Sequence, residues 1–385
     1  MRKLVFITLT ILVLSWVWNK YGYLVTNRDN YNKTQEVADT PLVFTSTEES
    51  DKELSFLNLP QGGAIRYYAD DVPGARSLSA GPEGVVFVGT RGEGVVYALL
   101  DKNLDGRSDE RFVVASGLNS PNGIVYHQGT LYVAEISRII RFKNIDTTYQ
   151  NKPAYEVVYD NLPKEGHHGW RYMALGPDDR LYLGIGAPCN VCEVKDPFGT
   201  IASLNLDWSD FRVEARGIRN TVGFDWNPSD NTLWFSENGR DMMGDDIPRD
   251  ELNHITSDSP HFGYPYCHES DVLDPGFGKG QDCNDYVAPA ISLSPHAAAL
   301  GIKFVGSKLY IAEHGSWNRK TPIGYRVMSV DVSGNGASNY QVVVDGWLGS
   351  NGKAVGRPVD ILVFDEKTLL ISDDFAGAIY ALSIK

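Results

Sequence analysis

The chain has 385 residues, a formal net charge of −14, 11% aromatic and 22% charged residues. So acidic a protein, with no basic stripe, repels phosphates, which excludes nucleic acid as a partner. Its 38 glycines and many aromatics fit short strands joined by tight turns, and helical periodicity is missing after the first two dozen residues.

In chain order, Arg2 and Lys3 precede the unbroken apolar stretch from Leu4 to Trp18, the charged and hydrophobic regions of an export signal. Asn19, Lys20, Tyr21 and Gly22 offer no small-x-small cleavage site. Residues 1–24 therefore read as a signal peptide or as a retained membrane anchor, with the protein facing the periplasm or the exterior. Residues 25–58 are polar, lack alternation and read as a linker, so the folded domain is expected over 59–385.

Within that domain one phrase recurs. Its copies are Val85-Val-Phe-Val-Gly89, Leu131-Tyr-Val-Ala-Glu135, Leu181-Tyr-Leu-Gly-Ile185, Leu233-Trp-Phe-Ser-Glu237, Leu309-Tyr-Ile-Ala-Glu313 and Leu369-Leu-Ile-Ser-Asp373. Each is a short apolar strand that ends in a small residue and usually an acid, often after a turn such as Gly176-Pro-Asp-Asp179. A spacing of roughly fifty residues suits one four-stranded antiparallel blade per copy. The pattern predicts an all-β fold, a six-bladed β-propeller whose loops gather at one mouth of a central channel. A flat β-sandwich would not carry one phrase at blade-like intervals.

Polar motifs stand beside these strands. Gly166-His167-His168-Gly169-Trp170-Arg171 places imidazoles, suited to proton abstraction near neutral pH, next to a guanidinium. Ala215-Arg216-Gly217-Ile218-Arg219-Asn220 carries forks that bind carboxylates. Ser236-Glu237-Asn238-Gly239-Arg240-Asp241 opens an oxygen-rich loop suited to calcium. Glu313-His-Gly-Ser-Trp317-Asn-Arg319 and Gly356-Arg357-Pro-Val-Asp360 add cations and an aromatic face. A separate stretch, Asp101-x-Asn103-x-Asp105-Gly106, has the odd-position oxygens of a calcium loop but Phe112 at its twelfth position. It reads equally as an ordinary Asx turn.

Four cysteines, Cys189 with Cys192 and Cys267 with Cys283, read as two local disulfides in an oxidising compartment. A four-thiolate zinc site would want a second C-x-x-C, and haem attachment would want histidine where Glu193 stands.

Taken in order, these motifs resemble the soluble quinoprotein sugar dehydrogenases, most closely the sorbosone or quinone-dependent pyranose dehydrogenase branch, from roughly Ala75 onward. The resemblance rests on Ala187-Pro-Cys-Asn-Val-Cys-Glu193, Ala215 to Phe224, Glu313 to Arg319 and Gly356 to Asp360. It implies oxidation of an aldose or related sugar with pyrroloquinoline quinone (PQQ) and Ca2+. Counting back from the Gly176 turn, His168 would be the base, with His167 as the fallback. Arg219, Asn220, Arg319, Arg357 and Trp317 would contact the cofactor, and the carbonyls of Gly239 and Arg240 would bind calcium. Arg240 departs from the proline of familiar bacterial members, and a lysine those members use has no match. Electrons would leave to a separate cytochrome or quinone, since this chain has no haem motif. A calcium-dependent lactonase and a non-catalytic carbohydrate-binding propeller are the competing readings.

Overall fold

Every copy of the repeated phrase folds as the second strand of a four-stranded antiparallel sheet in the computed structural model, which describes residues 51–60 and 62–384. The expected leader, and most of the expected linker, lie outside the described residues. Blade 1 contains Ala75–Ala80, Val85–Thr90, Val96–Leu100 and Glu110–Ala115; blade 2 contains Gly123–His127, Thr130–Ala134, Ile139–Lys143 and Glu156–Tyr159. Blade 3 contains Met173–Leu175, Arg180–Ile185, Thr200–Asn205 and Arg212–Arg216; blade 4 contains Phe224–Trp226, Leu233–Glu237, Arg249–His254 and Ile291–Pro295. Blade 5 contains Ala299–Val305, Lys308–Glu313, Arg326–Ser333 and Gly336–Val344.

Blade 6 closes the ring. Its first three strands, Pro358–Asp365, Thr368–Asp373 and Ala378–Ser383, come from the end of the chain, and the fourth, Ala64–Ala69, comes from the start. Ile65 lies opposite Leu382 and Tyr67 opposite Tyr380. Leu54 and Leu57, ahead of that strand, are buried in the same apolar cluster as Ile65 and Leu382.

Why the phrase is apolar at successive positions, rather than alternate ones, follows from packing. A blade is covered on both faces, so alternate side chains of one strand enter two different cores. Leu131 and Val133 join the apolar cluster shared with blade 1, while Tyr132 and Ala134 join the one shared with blade 3. Six such clusters fill the six seams between neighbouring blades. Leu131→Ala should therefore cost about 2–5 kcal/mol, the usual loss for a fully buried leucine, read as a lowered urea midpoint at unchanged slope. An unchanged midpoint would contradict the seam assignment.

Side chains stitch inner strands where no ladder connects them. Asp360 of blade 6 accepts from Leu78 N of blade 1 at 2.9 Å, and Asp225 of blade 4 accepts from Lys303 Nζ and Phe304 N of blade 5, both at 2.8 Å. Between the last two strands of blade 4 an insertion carries the hairpin Cys267–His268 with Val272–Leu273, tied by the Cys267–Cys283 disulfide. The Asp101 loop turns its oxygens on its own backbone: Asp101 accepts from Asp105 N and Gly106 N, and Asp105 from Arg107 N. That is the hydrogen-bond pattern of an Asx turn. No helix among the described residues is long and apolar enough to cross a membrane.

Candidate active site

The loops that lead into first strands and leave second strands converge on one mouth of the propeller, around a cavity of about 310 Å3. The terminal acids of the repeated phrase hold these loops in place. Glu237 accepts from Arg219 N at 2.6 Å, Asp373 from Arg357 N at 2.9 Å and Glu135 from Asn119 N at 2.6 Å. Each of these three carboxylates thus fixes the backbone that precedes the first strand of its own blade, and in blades 4 and 6 that backbone carries a cavity arginine.

His168 lines the cavity and is buried, whereas its neighbour His167 is exposed and is not among the lining residues. The His168 Nδ1 lies 2.8 Å from the Ala187 carbonyl. A carbonyl can only accept, so Nδ1 carries the proton and Nε2 keeps a lone pair. Burial, reinforced by the charge of Arg219 and then His167, pushes this imidazole down to about 2. His168 is neutral across the physiological range and presents Nε2 as a proton acceptor.

Four arginines line the same cavity: Arg76, Arg91, Arg219 and Arg357. Arg219, buried, pairs with Asp241 at 2.8 Å and is clamped by Asn190, whose carbonyl accepts from Nε at 2.8 Å and whose Oδ1 accepts from Nη2 at 2.9 Å. Asn190 also accepts from Asp241 N and donates to Asp241 O. It sits between Cys189 and Cys192, which form a disulfide, and Tyr264 of the blade 4 insertion receives the Cys192 N–H at 3.0 Å. The short disulfide loop therefore works as a clamp on the Arg219–Asp241 pair. Arg357 donates to the carbonyls of His314 and Gly315, and Arg76 pairs with Asp374 and donates to Asn122.

Asn220 and Gly239 also face the cavity, joined through Asn238, whose Oδ1 accepts from Asn220 Nδ2 and whose N–H reaches the Asn220 carbonyl. Buried Asp250 accepts from Gly239 N at 3.0 Å and Ala299 N at 3.0 Å, which sets the Gly239 loop against blade 5. The Arg240 side chain turns away to Asp274 at 2.6 Å, bolting this loop to the disulfide-tied insertion. Among the described residues no hydrogen bond engages the carbonyl oxygens of Gly239 or Arg240. Trp317 lines the cavity at its rim and is 66% exposed.

The structure thus brings together His168, Arg219, Asn220, Gly239, Trp317 and Arg357. Arg319 is not among the lining residues, because its guanidinium reaches the carbonyls of Asp245, Pro295 and Thr321. Sequence reasoning missed Arg76, Arg91 and Asn190. An arginine inside an otherwise small and uncharged first strand was the one available signal for Arg76.

A model of TrAA12-like proteins matches residues 57–385. The chain belongs to the TrAA12-like family. An uncharacterized protein of Borreliella burgdorferi is 31% identical over 362 residues, 88% of this chain and 94% of that one. A pyrroloquinoline quinone-dependent pyranose dehydrogenase of Coprinopsis cinerea is 33% identical over 215 residues, 49% of this chain but 26% of that enzyme. Among solved structures, the calcium structure of a Trichoderma reesei family AA12 carbohydrate-active enzyme superposes with a TM-score of 0.76 at 20% identity, over 89% of this chain and 100% of that one. The holo pyranose dehydrogenase PQQ domain of Coprinopsis cinerea gives 0.72 at 19% identity, over 88% and 100%. The resemblance to the quinoprotein sugar dehydrogenases read from the motifs stands, and so does the six-bladed fold. Both cysteine pairs are bridged, which fits an exported protein.

Proposed function

We propose that this chain is a PQQ-dependent dehydrogenase that oxidises a hydroxyl of an aldose or related sugar, with His168 as the base. The observation that carries the reading is one cavity with a neutral, buried imidazole at one side and four guanidiniums around it. A planar tricarboxylate suits the three of them that protein acceptors anchor, Arg76, Arg219 and Arg357, since guanidinium forks pair with carboxylates. Arg219 and Arg357, each fixed by protein acceptors, and Asn220 would hold it, and the unengaged carbonyls of Gly239 and Arg240 would supply oxygen ligands to calcium. When bound, the quinone supplies a two-electron oxidant that accepts a hydride.

The rest falls to the chain's own side chains. His168 Nε2 takes the proton of the substrate hydroxyl, and the Ala187 carbonyl steadies the imidazolium so formed through Nδ1–H. Burial, helped by the charge of Arg219, keeps the imidazole neutral beforehand. Trp317 offers the rim an exposed ring for a sugar face. A metal-activated lactonase has no use for so cationic a lining, which favours the dehydrogenase reading. Electrons would pass on to a separate cytochrome or quinone.

The test is dye reduction by the purified protein with aldoses, omitting PQQ, calcium or sugar in turn. Turnover is expected only when all three are present, with loss on EGTA treatment and recovery on adding Ca2+. Hydrolysis of a lactone without any PQQ requirement would overturn the reading.

A further inference from the structure

Arg91 differs from the other three cavity arginines. Arg76 and Arg219 are each paired with a carboxylate, and Arg357 is anchored on two carbonyls. Arg91 makes no hydrogen bond and no ion pair among the described residues; its guanidinium lies 4.1 Å from the centroid of the Trp170 ring. The acids nearest in charge, Asp374 and Glu93, do not reach it, and Arg76 and Arg357 add to the positive potential there. Stacking on an indole fixes the plane of a guanidinium and leaves its N–H edge open. Arg91 lines the cavity from an exposed position, and a cation so held at its mouth, with its donors unspent, is a preformed receptor for an oxygen anion.

Its position says which ligand. The Trp170 ring is 6.1 Å from the His168 ring and also carries Arg91, and all three residues line the same cavity. A sugar whose hydroxyl meets His168 Nε2 shares this cavity with Arg91, which can take an acidic substituent of its ring. The three anchored arginines are rigid and suit a resident group, whereas Arg91, held by stacking alone, suits a ligand that comes and goes with each turnover. Because the protein as a whole carries −14, an anionic ligand needs such a local cation to be captured at all.

We infer that Arg91, on its Trp170 platform, is an anion subsite that selects acidic sugars, a carboxylate or phosphate on the ring being its ligand. The substrate class named here rests on the dehydrogenase reading; the anion subsite itself does not. Leaving the guanidinium unpaired beside a neutral sugar should make the acid the better substrate by 10-fold or more in kcat/KM.

The experiment compares glucuronate with glucose and galacturonate with galactose, with glucose 6-phosphate as a further arm, on the wild type, Arg91→Gln and Arg91→Lys. PQQ affinity of each is measured separately by absorbance titration, and glucuronate binding to the cofactor-free protein by calorimetry. Expected is a 10-fold or larger preference for the uronic acids that Arg91→Gln abolishes and Arg91→Lys partly restores, with PQQ affinity unchanged. A stronger preference for the phosphate supports the same subsite with phosphate as its ligand. Equal use of acid and neutral sugars overturns the inference, as does an Arg91→Gln variant that loses PQQ affinity, because the cation then serves the cofactor. If no PQQ-dependent turnover occurs but glucuronate binds and Arg91→Gln abolishes that binding, the dehydrogenase reading fails and the anion subsite holds.

Discussion

Replacing His168 with alanine is expected to lower kcat by about 10²–10⁴-fold, the range supplied by a positioned general base, while PQQ affinity stays within a few-fold of wild type. The backbone presents this residue in an unusual way. His168 has φ of +48°, a left-handed conformation that a non-glycine residue adopts only when its surroundings insist. Gly186 leaves the room it needs, since a Cβ there would come within 2.5 Å of the His168 Cβ. Gly186→Ala should therefore reproduce much of the His168→Ala defect without touching the imidazole.

The pH dependence carries a definite sign. A histidine pushed down to about 2 stays an acceptor as pH falls through the ordinary histidine range. The acid limb of kcat/KM should then lie well below pH 6.5. A limb at 6.5 in the wild type that disappears in His168→Ala would show that the imidazole is not held neutral as the geometry demands.

The second large effect is expected at the clamp on Arg219. Arg219→Leu removes the cation and leaves Asp241 facing a buried apolar group; breaking such a pair costs about 3–5 kcal/mol when fully buried. Asp241 is 19% exposed and keeps Asn190 and Asn318 as partners, so the lower end of that range is expected. Asn190→Ala keeps both charges but deletes the amide that serves Arg219 Nη2, Asp241 N and Asp241 O together. Its expected cost is about 1.5–3 kcal/mol, typical of hydrogen bonds to charged groups, with PQQ affinity down about 10-fold. Urea melts and absorbance titrations of the two variants measure this. Asn190→Ala with unaltered affinity would mean that Arg219 is placed by Asp241 alone.

Much of the fold is legible because a blade strand is buried on both faces and must repeat its apolar phrase. Leu181, Leu183 and Ile185 report that burial directly. The ring closure is less legible, since Ala64–Ala69 joins the end of the chain and no local signal announces a partner more than 300 residues away. The site follows the same division. His168, Arg219, Asn220 and Arg357 sit in motifs that precede first strands, and the propeller topology brings those segments to one mouth. Arg319 and Trp317 share a loop, but adjacency in sequence does not decide which side of the loop a side chain takes, and Arg319 turns to the carbonyls of Asp245, Pro295 and Thr321. Asn190 is hidden for another reason. Its role depends on a disulfide loop in blade 3 reaching an arginine ahead of blade 4, a contact between segments nearly thirty residues apart.

Whether this cavity holds PQQ and passes a sugar hydride to it is decided by a titration of the full chain with PQQ in the presence of Ca2+, followed by one addition of sugar without any dye. Saturable binding at one cofactor per chain is expected, with bleaching of the oxidised cofactor only after sugar is added, and binding but no bleaching in His168→Ala. Absence of saturable binding, or bleaching that proceeds unchanged in His168→Ala, would contradict the dehydrogenase reading.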